Sequence, residues 1–304
     1  MPDELVVAVT QPEYLKGRAV FDAASGKAMR CVEAPPYEPS LAAFLNEHGI
    51  RNVIVGIEPY LDALYEALPE GGVIARFGVG YDSISLVKAT ARGILCTNTP
   101  GVLDESVAEH AIALMLAAAR HVPRLDRAVH AGEWAPRLGM ELQGKTLAVI
   151  GCGAIGCRVG RIAALGFGMR VLGCEQNPDA GDLCKDFGFA SVSQSFEDTV
   201  READFVSLHI PSVPETAKFI NETRLQAIPP HAWLINTARG AVVDEAALYD
   251  ALRDGRLAGA ALDVFAQEPY VPGDAQHDLR ALDNVIMTPH TGSSTVEACE
   301  RMAT

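Results

Sequence analysis

Three polar side chains, Arg239, Glu268 and His290, each stand just beyond an apolar run that reads as a strand. Their types suit the redox chemistry of a carbonyl next to a carboxylate. Hydride transfer to a carbonyl leaves negative charge on oxygen, which calls for a proton donor and fixed positive charge. A protonated His290 supplies the proton, and the neutral ring takes one back in the reverse direction. Glu268 beside it would favour the imidazolium and hold the ring in one orientation. Arg239 can grip a carboxylate with two parallel hydrogen bonds and polarise the neighbouring carbonyl. Singly, each has a plainer reading: a surface histidine after proline, an arginine at a strand end, a solvated loop acid before Pro269. Jointly they gain weight, because open α/β sheets bind ligands outside the carboxyl ends of their strands.

The second feature is Gly151-Cys152-Gly153-Ala154-Ile155-Gly156, a G-x-G-x-x-G run between an apolar strand and an apolar helix. A further strand follows and ends at Glu175, which is 175 − 156 = 19 residues beyond the last glycine. That context matches the dinucleotide fingerprint. Its glycines permit the tight turn, the approach of the pyrophosphate and close helix–strand packing, and the helix N-terminus faces the anion. Glu175 can accept the hydroxyls of the adenosine ribose and should repel a 2′-phosphate. Gln176 and Asn177 bring no cation to offset it. NAD is therefore expected in preference to NADP. Cys152 and Cys157 have no second close ligand pair, so no metal is expected there.

These residues need elements to place them. Apolar strand-like runs at 5–10, 52–56, 73–77 and 94–97 alternate with helix-like runs at 40–48, 61–68 and 85–92. Asn98-Thr99-Pro100-Gly101 breaks the pattern as a candidate hinge. A long helix to about residue 120 follows, with Asp104 or Ser106 as its N-cap and apolar residues on several faces. Such a helix is buried on more than one side. Strand candidates at 145–150, 170–174, 205–209, 233–237, 259–264 and 285–287 then alternate with helices such as 155–165 and 244–253. This is the pattern of a parallel α/β sheet. The segment 17–39, carrying Tyr37, reads as an extra loop or hairpin.

Composition excludes several classes. With 304 residues, 49% of them hydrophobic, the chain is long enough for two domains with real cores. Its apolar runs, 111–119 and the glycine-broken 146–157, are too short to span a bilayer. The start, Met1-Pro2-Asp3-Glu4, is acidic and unlike a secretory signal. Seven scattered cysteines, 31, 96, 152, 157, 174, 184 and 299, fit reduced thiols in a cytoplasm. A net charge of 25 − 39 = −14 argues against a nucleic acid partner.

From about residue 72 to 304 the chain resembles the NAD-dependent D-isomer-specific 2-hydroxyacid dehydrogenases. The resemblance is carried by Phe77-Gly78-Val79-Gly80-Tyr81-Asp82, Asn98-Thr99-Pro100-Gly101, Val107-Ala108-Glu109-His110 and the glycine loop. It continues in ADFVSLHIP at 203–211, INTARGAVVD at 235–244, AGAALDVFAQEP at 258–269 and Thr288-Pro289-His290. It implies an α/β fold of two domains, a Rossmann doubly wound parallel sheet plus a flavodoxin-like α/β substrate domain. Residues 1–100 would form the substrate domain, closed by 290–304, and 101–289 the NAD-binding domain. A chain shortened within its last helix is also expected.

The resemblance further implies roles. Arg239 matches the substrate-binding arginine, Glu268 the glutamate paired with the histidine, and His290 the acid/base. Val79 and Gly80 match the loop whose amides hold the substrate carboxylate. Ile210, Pro211, Thr237, Ala238, Arg239, Asp263, His290 and Gly292 join Gly151, Gly153, Ala154, Ile155, Gly156 and Glu175 as cofactor-lining residues. The expected reaction interconverts a small 2-oxo acid and its D-2-hydroxy acid, in a homodimer joined through the helix after the hinge and the segment to Trp134. Oxidation of phosphoglycerate or phosphite, or a non-enzymatic NAD-sensing scaffold of the corepressor kind, are the alternatives; Glu268 disfavours the formate-oxidising branch, which has glutamine there. The family's common Asn and Asp are replaced here by Ser83 and Ser85, which puts the geometry of the substrate loop in question.

Overall fold

A computed structural model describes residues 5–26, 29–177 and 186–304. The acidic start at 1–4 and Cys184 lie outside the described residues. The chain divides into two compact units, Met1–Leu103 with Ser293–Thr304, and Asp104–Gly292.

The first unit is built on five parallel strands, β1 (Leu5–Thr10), β2 (Met29–Ala34), β3 (Asn52–Val55), β4 (Val73–Arg76) and β5 (Leu95–Thr97), in the order β2-β1-β3-β4-β5. Helices α1 (Gln11–Lys16), α2 (Arg18–Ala24), α3 (Glu38–His48), α4 (Ala63–Ala67) and α5 (Leu86–Ala91) connect them. This is the doubly wound order of flavodoxin-like sheets. Leu41, Leu45, Val53, Val55, Leu64 and Ile74 form its core. The expected extra loop or hairpin at 17–39 is corrected. Apart from residues 27 and 28, which are not described, it supplies α2 and then β2, which pairs with β1 in parallel from Leu5↔Met29 to Thr10↔Ala34. A hairpin would pair antiparallel, whereas parallel neighbours need a crossover of a dozen or more residues, and α1 and α2 provide it. Each of those helices is too short to show a clear amphipathic period in sequence.

The second unit carries seven parallel strands: β6 (Thr146–Ile150), β7 (Arg170–Cys174), β8 (Phe189–Ser193), β9 (Phe205–Leu208), β10 (Trp233–Asn236), β11 (Gly259–Leu262) and β12 (Val285–Met287). Their order is β12-β11-β10-β9-β6-β7-β8, the Rossmann arrangement extended by one strand. Its helices are α6 (Asp104–Ala119), α7 (Val122–His130), α8 (Ala154–Arg161), α9 (Phe196–Val200), α10 (Glu222–Ala227) and α11 (Glu245–Arg253). The central strands β6, β9, β10 and β11 are buried along their whole length. Successive residues alternate faces: Ala148 and Ile150 pack in one core cluster, Leu147 and Val149 in the other. That two-sided burial is why these strands read as continuous apolar runs. The chain then returns to the first unit as α12 (Val296–Ala303), which packs on α1 and α2.

Two further expectations change. Asp104 and Ser106 both lie inside α6 rather than capping it. The helix expected over 155–165 leaves α geometry after Arg161 and continues as a π-helical turn, Ile162–Gly166. Strand β8 escaped the sequence because it lies at the sheet edge with only Phe189 fully buried, and pairs with β7 across a register shift at Val171/Leu172.

Candidate active site

The glycine loop forms where the strand order of the second unit reverses, between β6 and β9. Gly151 takes φ +92, and a Cβ there would come within 2.7 Å of the His209 carbonyl oxygen at the end of β9. Only glycine allows both. A Cβ at Gly156 would overlap the Gly151 carbonyl, so α8 rises directly off the turn, opening with Ala154 and Ile155. At Gly153, by contrast, the Cβ position faces open space. The first turn of α8 has no side-chain cap, which leaves its N–H groups and partial positive charge available to an anion. Thr237 Oγ1, after β10, is buried without a hydrogen-bond partner. An uncapped helix start, an open glycine face and an orphaned hydroxyl together fit a dinucleotide.

Glu175 is placed at the same loop, and its carboxylate accepts three backbone N–H groups. Cys152 donates to Oε2 at 2.9 Å, and Gln176 and Asn177 donate to Oε1 at 2.8 and 3.2 Å. Ile210 and Pro211 follow β9, where His209 is desolvated and its imidazole pushed down to about 4. Ser207 Oγ lies 2.8 Å from His209 Nε2.

Arg239 sits in the loop after β10, half-buried. Asn236, 1% exposed, shapes that loop: its Nδ2 donates to the Arg239 carbonyl at 2.9 Å and its Oδ1 accepts the Ala238 N–H at 3.0 Å. The Arg239 Nη1 donates to the Ala238 carbonyl at 2.7 Å. Gly240 then packs backbone to backbone on the loop after β11, since a Cβ there would overlap the Phe265–Ala266 peptide. The arginine loop and the glutamate loop are therefore fixed against each other.

Glu268 accepts the Phe265 N–H on Oε1 at 2.9 Å and holds His290 Nδ1 on Oε2 at 2.6 Å. A carboxylate only accepts, so Nδ1 carries the proton and Nε2 is left for a substrate oxygen. Glu245 Oε1 accepts the Ala266 N–H at 2.7 Å and steadies the same loop. Burial pushes the Glu245 carboxyl up, against the lowering hydrogen bond from Ala266, with Asp244 and Glu268 adding repulsion.

Asp263, at the end of β11 and 1% exposed, spends its carboxylate on the loop of His290. Oδ1 accepts the Thr288 hydroxyl at 2.5 Å and the Thr291 N–H at 2.9 Å, and Oδ2 accepts the Gly292 N–H at 2.8 Å. Burial pushes this carboxyl up, but hydrogen bonds from His110, Thr288, Thr291 and Gly292 outweigh it and hold it below the usual carboxylate range.

Val79 and Gly80 lie in the first unit, after β4. Asn98 Nδ2 donates to the Val79 carbonyl at 2.8 Å, and the Thr99 N–H to the Gly78 carbonyl at 3.0 Å. Arg76 is buried beneath this loop and donates to the Phe77 carbonyl. Asn236 and Glu245 have no role in the sequence analysis, and Ser106 stands there only as a candidate N-cap. Asn236 lies inside a motif already quoted, but nothing in the sequence marks Glu245.

Residues 112–292 match the family model described as D-isomer specific 2-hydroxyacid dehydrogenase, NAD binding domain. Glyoxylate reductase from Pyrococcus furiosus is 44% identical over 249 residues, covering 79% of this chain and 72% of the relative. D-lactate dehydrogenase from Aquifex aeolicus, solved with NAD and lactic acid, is 30% identical with a TM-score of 0.81, covering 98% of this chain and 92% of that one. The NADPH-dependent glyoxylate/hydroxypyruvate reductase from Sinorhizobium meliloti, solved with NADP and malonate, is 31% identical with a TM-score of 0.81, covering 99% and 91%. With the paired His290 and Glu268 beyond the strand ends of a Rossmann sheet, the chain belongs to the D-isomer specific 2-hydroxyacid dehydrogenases, oxidoreductases acting on the CH–OH group of 2-hydroxy acids.

Proposed function

We propose that the chain reduces small 2-oxo acids, glyoxylate first among them, to their 2-hydroxy acids with NADH. The observation that carries this is the 2.6 Å contact between His290 Nδ1 and Glu268 Oε2. It orients a proton donor beside a loop whose arginine suits a carboxylate. The likeness to glyoxylate reductases supports the substrate class.

When bound, the nicotinamide supplies or accepts the hydride. Arg239 pairs with the substrate carboxylate and draws charge from the adjacent carbonyl. His290 Nε2 donates its proton to the carbonyl oxygen as negative charge gathers there, and Glu268 stabilises the imidazolium that starts the step. In the reverse direction neutral Nε2 takes the hydroxyl proton. Val79 and Gly80 offer backbone amides to a substrate carboxylate, with residues 1–100 acting as the substrate domain and 101–289 as the NAD-binding domain. Gly151, Gly153, Ala154, Ile155 and Gly156 hold the pyrophosphate, while Ile210, Pro211, Thr237, Ala238, Asp263 and Gly292 line the remainder of the cofactor site.

NAD is preferred over NADP on the strength of Glu175, which a 2′-phosphate would face as a like charge. The working protein is a cytoplasmic homodimer. Support comes from Val122, Val129, Trp134 and Leu138, exposed in the segment after α6. Sedimentation velocity should give a dimer at micromolar concentration, and a monomer there would remove that reading.

The decisive assay follows NADH and NADPH oxidation across a panel of 2-oxo acids. Turnover is expected with NADH and the smallest acids, with NADPH slower. His290→Ala should lower kcat by roughly 100- to 10,000-fold while NADH affinity stays near that of the wild type. NADH binding without turnover of any acid would favour the NAD-sensing scaffold instead.

A further inference from the structure

His290 is one of three non-glycine residues in the left-handed region among the described residues, with φ +53. A histidine adopts that backbone at a cost, so its surroundings must hold it there. The holding groups come from α6 as well as from the sheet. Ser106 Oγ donates to the Gly292 carbonyl at 2.7 Å. One turn further along the same helix, His110 Nε2 lies 3.1 Å from Thr288 Oγ1 and 3.2 Å from Asp263 Oδ1. Val107 sits between them, 3.6 Å from where a Gly292 Cβ would stand.

The hydrogen-bond inventory settles the direction of the His110 contact. Asp263 Oδ1 can only accept, and the Thr288 hydroxyl proton is already given to it at 2.5 Å. Only a donor at His110 Nε2 satisfies both neighbours. One face of α6 therefore grips the Thr288–Gly292 segment at both ends. Between those grips the His290 N–H donates to the Asp263 carbonyl at 2.8 Å.

We propose that Ser106 and His110 are positioning residues for the acid/base step: by fixing Gly292 and Thr288 to α6, they keep His290 in its left-handed backbone with Nδ1 on Glu268. The proposal rests on the acid/base reading of His290. Neither residue touches the reacting atoms, and a loss of their grip lets the imidazole drift from its partner. Displacements on the order of 1 Å can cost a hundredfold in rate.

The test compares His110→Leu, His110→Gln and Ser106→Ala with the wild-type enzyme, assayed well below their unfolding temperatures. His110→Leu should lower kcat at least about tenfold, with the KM of the oxo acid and NADH affinity held within about twofold. His110→Gln, which retains a donor at the same reach, should recover most of the loss, and Ser106→Ala should show the same split more weakly. In proton NMR the downfield resonance of the His290 N–H held by Glu268, assigned by its absence in Glu268→Gln, should broaden or vanish in His110→Leu and return in His110→Gln. Lower stability with unchanged kcat and an unchanged resonance would overturn the proposal. Should His110→Leu fail to fold, Ser106→Ala decides by the same readouts. If the wild type reduces no acid, the functional reading fails, whereas the resonance still tests the positioning on its own.

Discussion

Both units of this chain are doubly wound parallel sheets, yet their switch points are finished in opposite ways. In the second unit β6 runs into a glycine loop: Gly153 faces open space and α8 starts without a cap. In the first unit the equivalent place lies between β1 and β3, and the chain fills it with its own carboxylate. Glu13, in the first turn of α1 and 6% exposed, accepts the Thr10 hydroxyl at 2.5 Å. Its Oε2 lies 2.7 Å from where a Cβ of Gly56 would stand. An acid at that helix start takes the place an anionic ligand would want. A doubly wound sheet thus offers a crevice, but the few residues after its first strand decide whether a ligand can enter.

The contrast is open to direct attack. Gly153→Val should fill the open side of the second crevice and cut NADH affinity roughly 100-fold, or about 2.7 kcal/mol, with little change in unfolding temperature; calorimetric titration reads it. Unchanged affinity would mean that the open face is not where the dinucleotide passes. In the first unit Gly56→Ala should do the reverse. Its new methyl meets Glu13, so stability falls by about 1–3 kcal/mol while NADH affinity stays put, as read by denaturant unfolding beside the same titration.

The last prediction concerns pH. His209 titrates near 4 when folded, below the ordinary 6.5, so the unfolded chain takes up the proton first. Its contribution is complete above about pH 6.5 and is lost as pH falls toward about 4, with a slope of up to about 1.4 kcal/mol per pH unit. Glu58 of the first unit behaves oppositely. Burial and then Glu13 raise its carboxyl, so its contribution weakens as pH rises through that higher folded value. His209→Gln should flatten the acid side of the stability curve measured by urea unfolding, and an unaltered slope would remove His209 from the account.

Much of the second unit was legible from residues alone, because strands buried on both faces must be apolar throughout and stand out between helices. The first unit was harder to read. Strand β2 has only two buried residues, Cys31 and Ala34, and α1 and α2 run six and seven residues, too little for periodicity to declare itself. Arg239, Glu268 and His290 were legible as chemistry with strand-end placement. Glu245 and Ser106 were not, since each acts on a backbone group distant in sequence; Asn236 bonds Ala238 and Arg239 in its own loop, where the sequence shows it near the end of an apolar strand.

What the amino-acid sequence determined by itself was local: the glycine turn, the acid after β7, the alternation of strands and helices, and the three side chains able to move a proton and hold an acid. Hydrophobic period and turn chemistry act over a few residues, so they can be read in order along the chain. Only the tertiary structure decided that Gly240 would lie on Phe265 and Ala266 and that α6 would reach the loop beyond β12. The Ser106–Gly292 contact joins residues 186 positions apart, and packing in three dimensions brings such partners together.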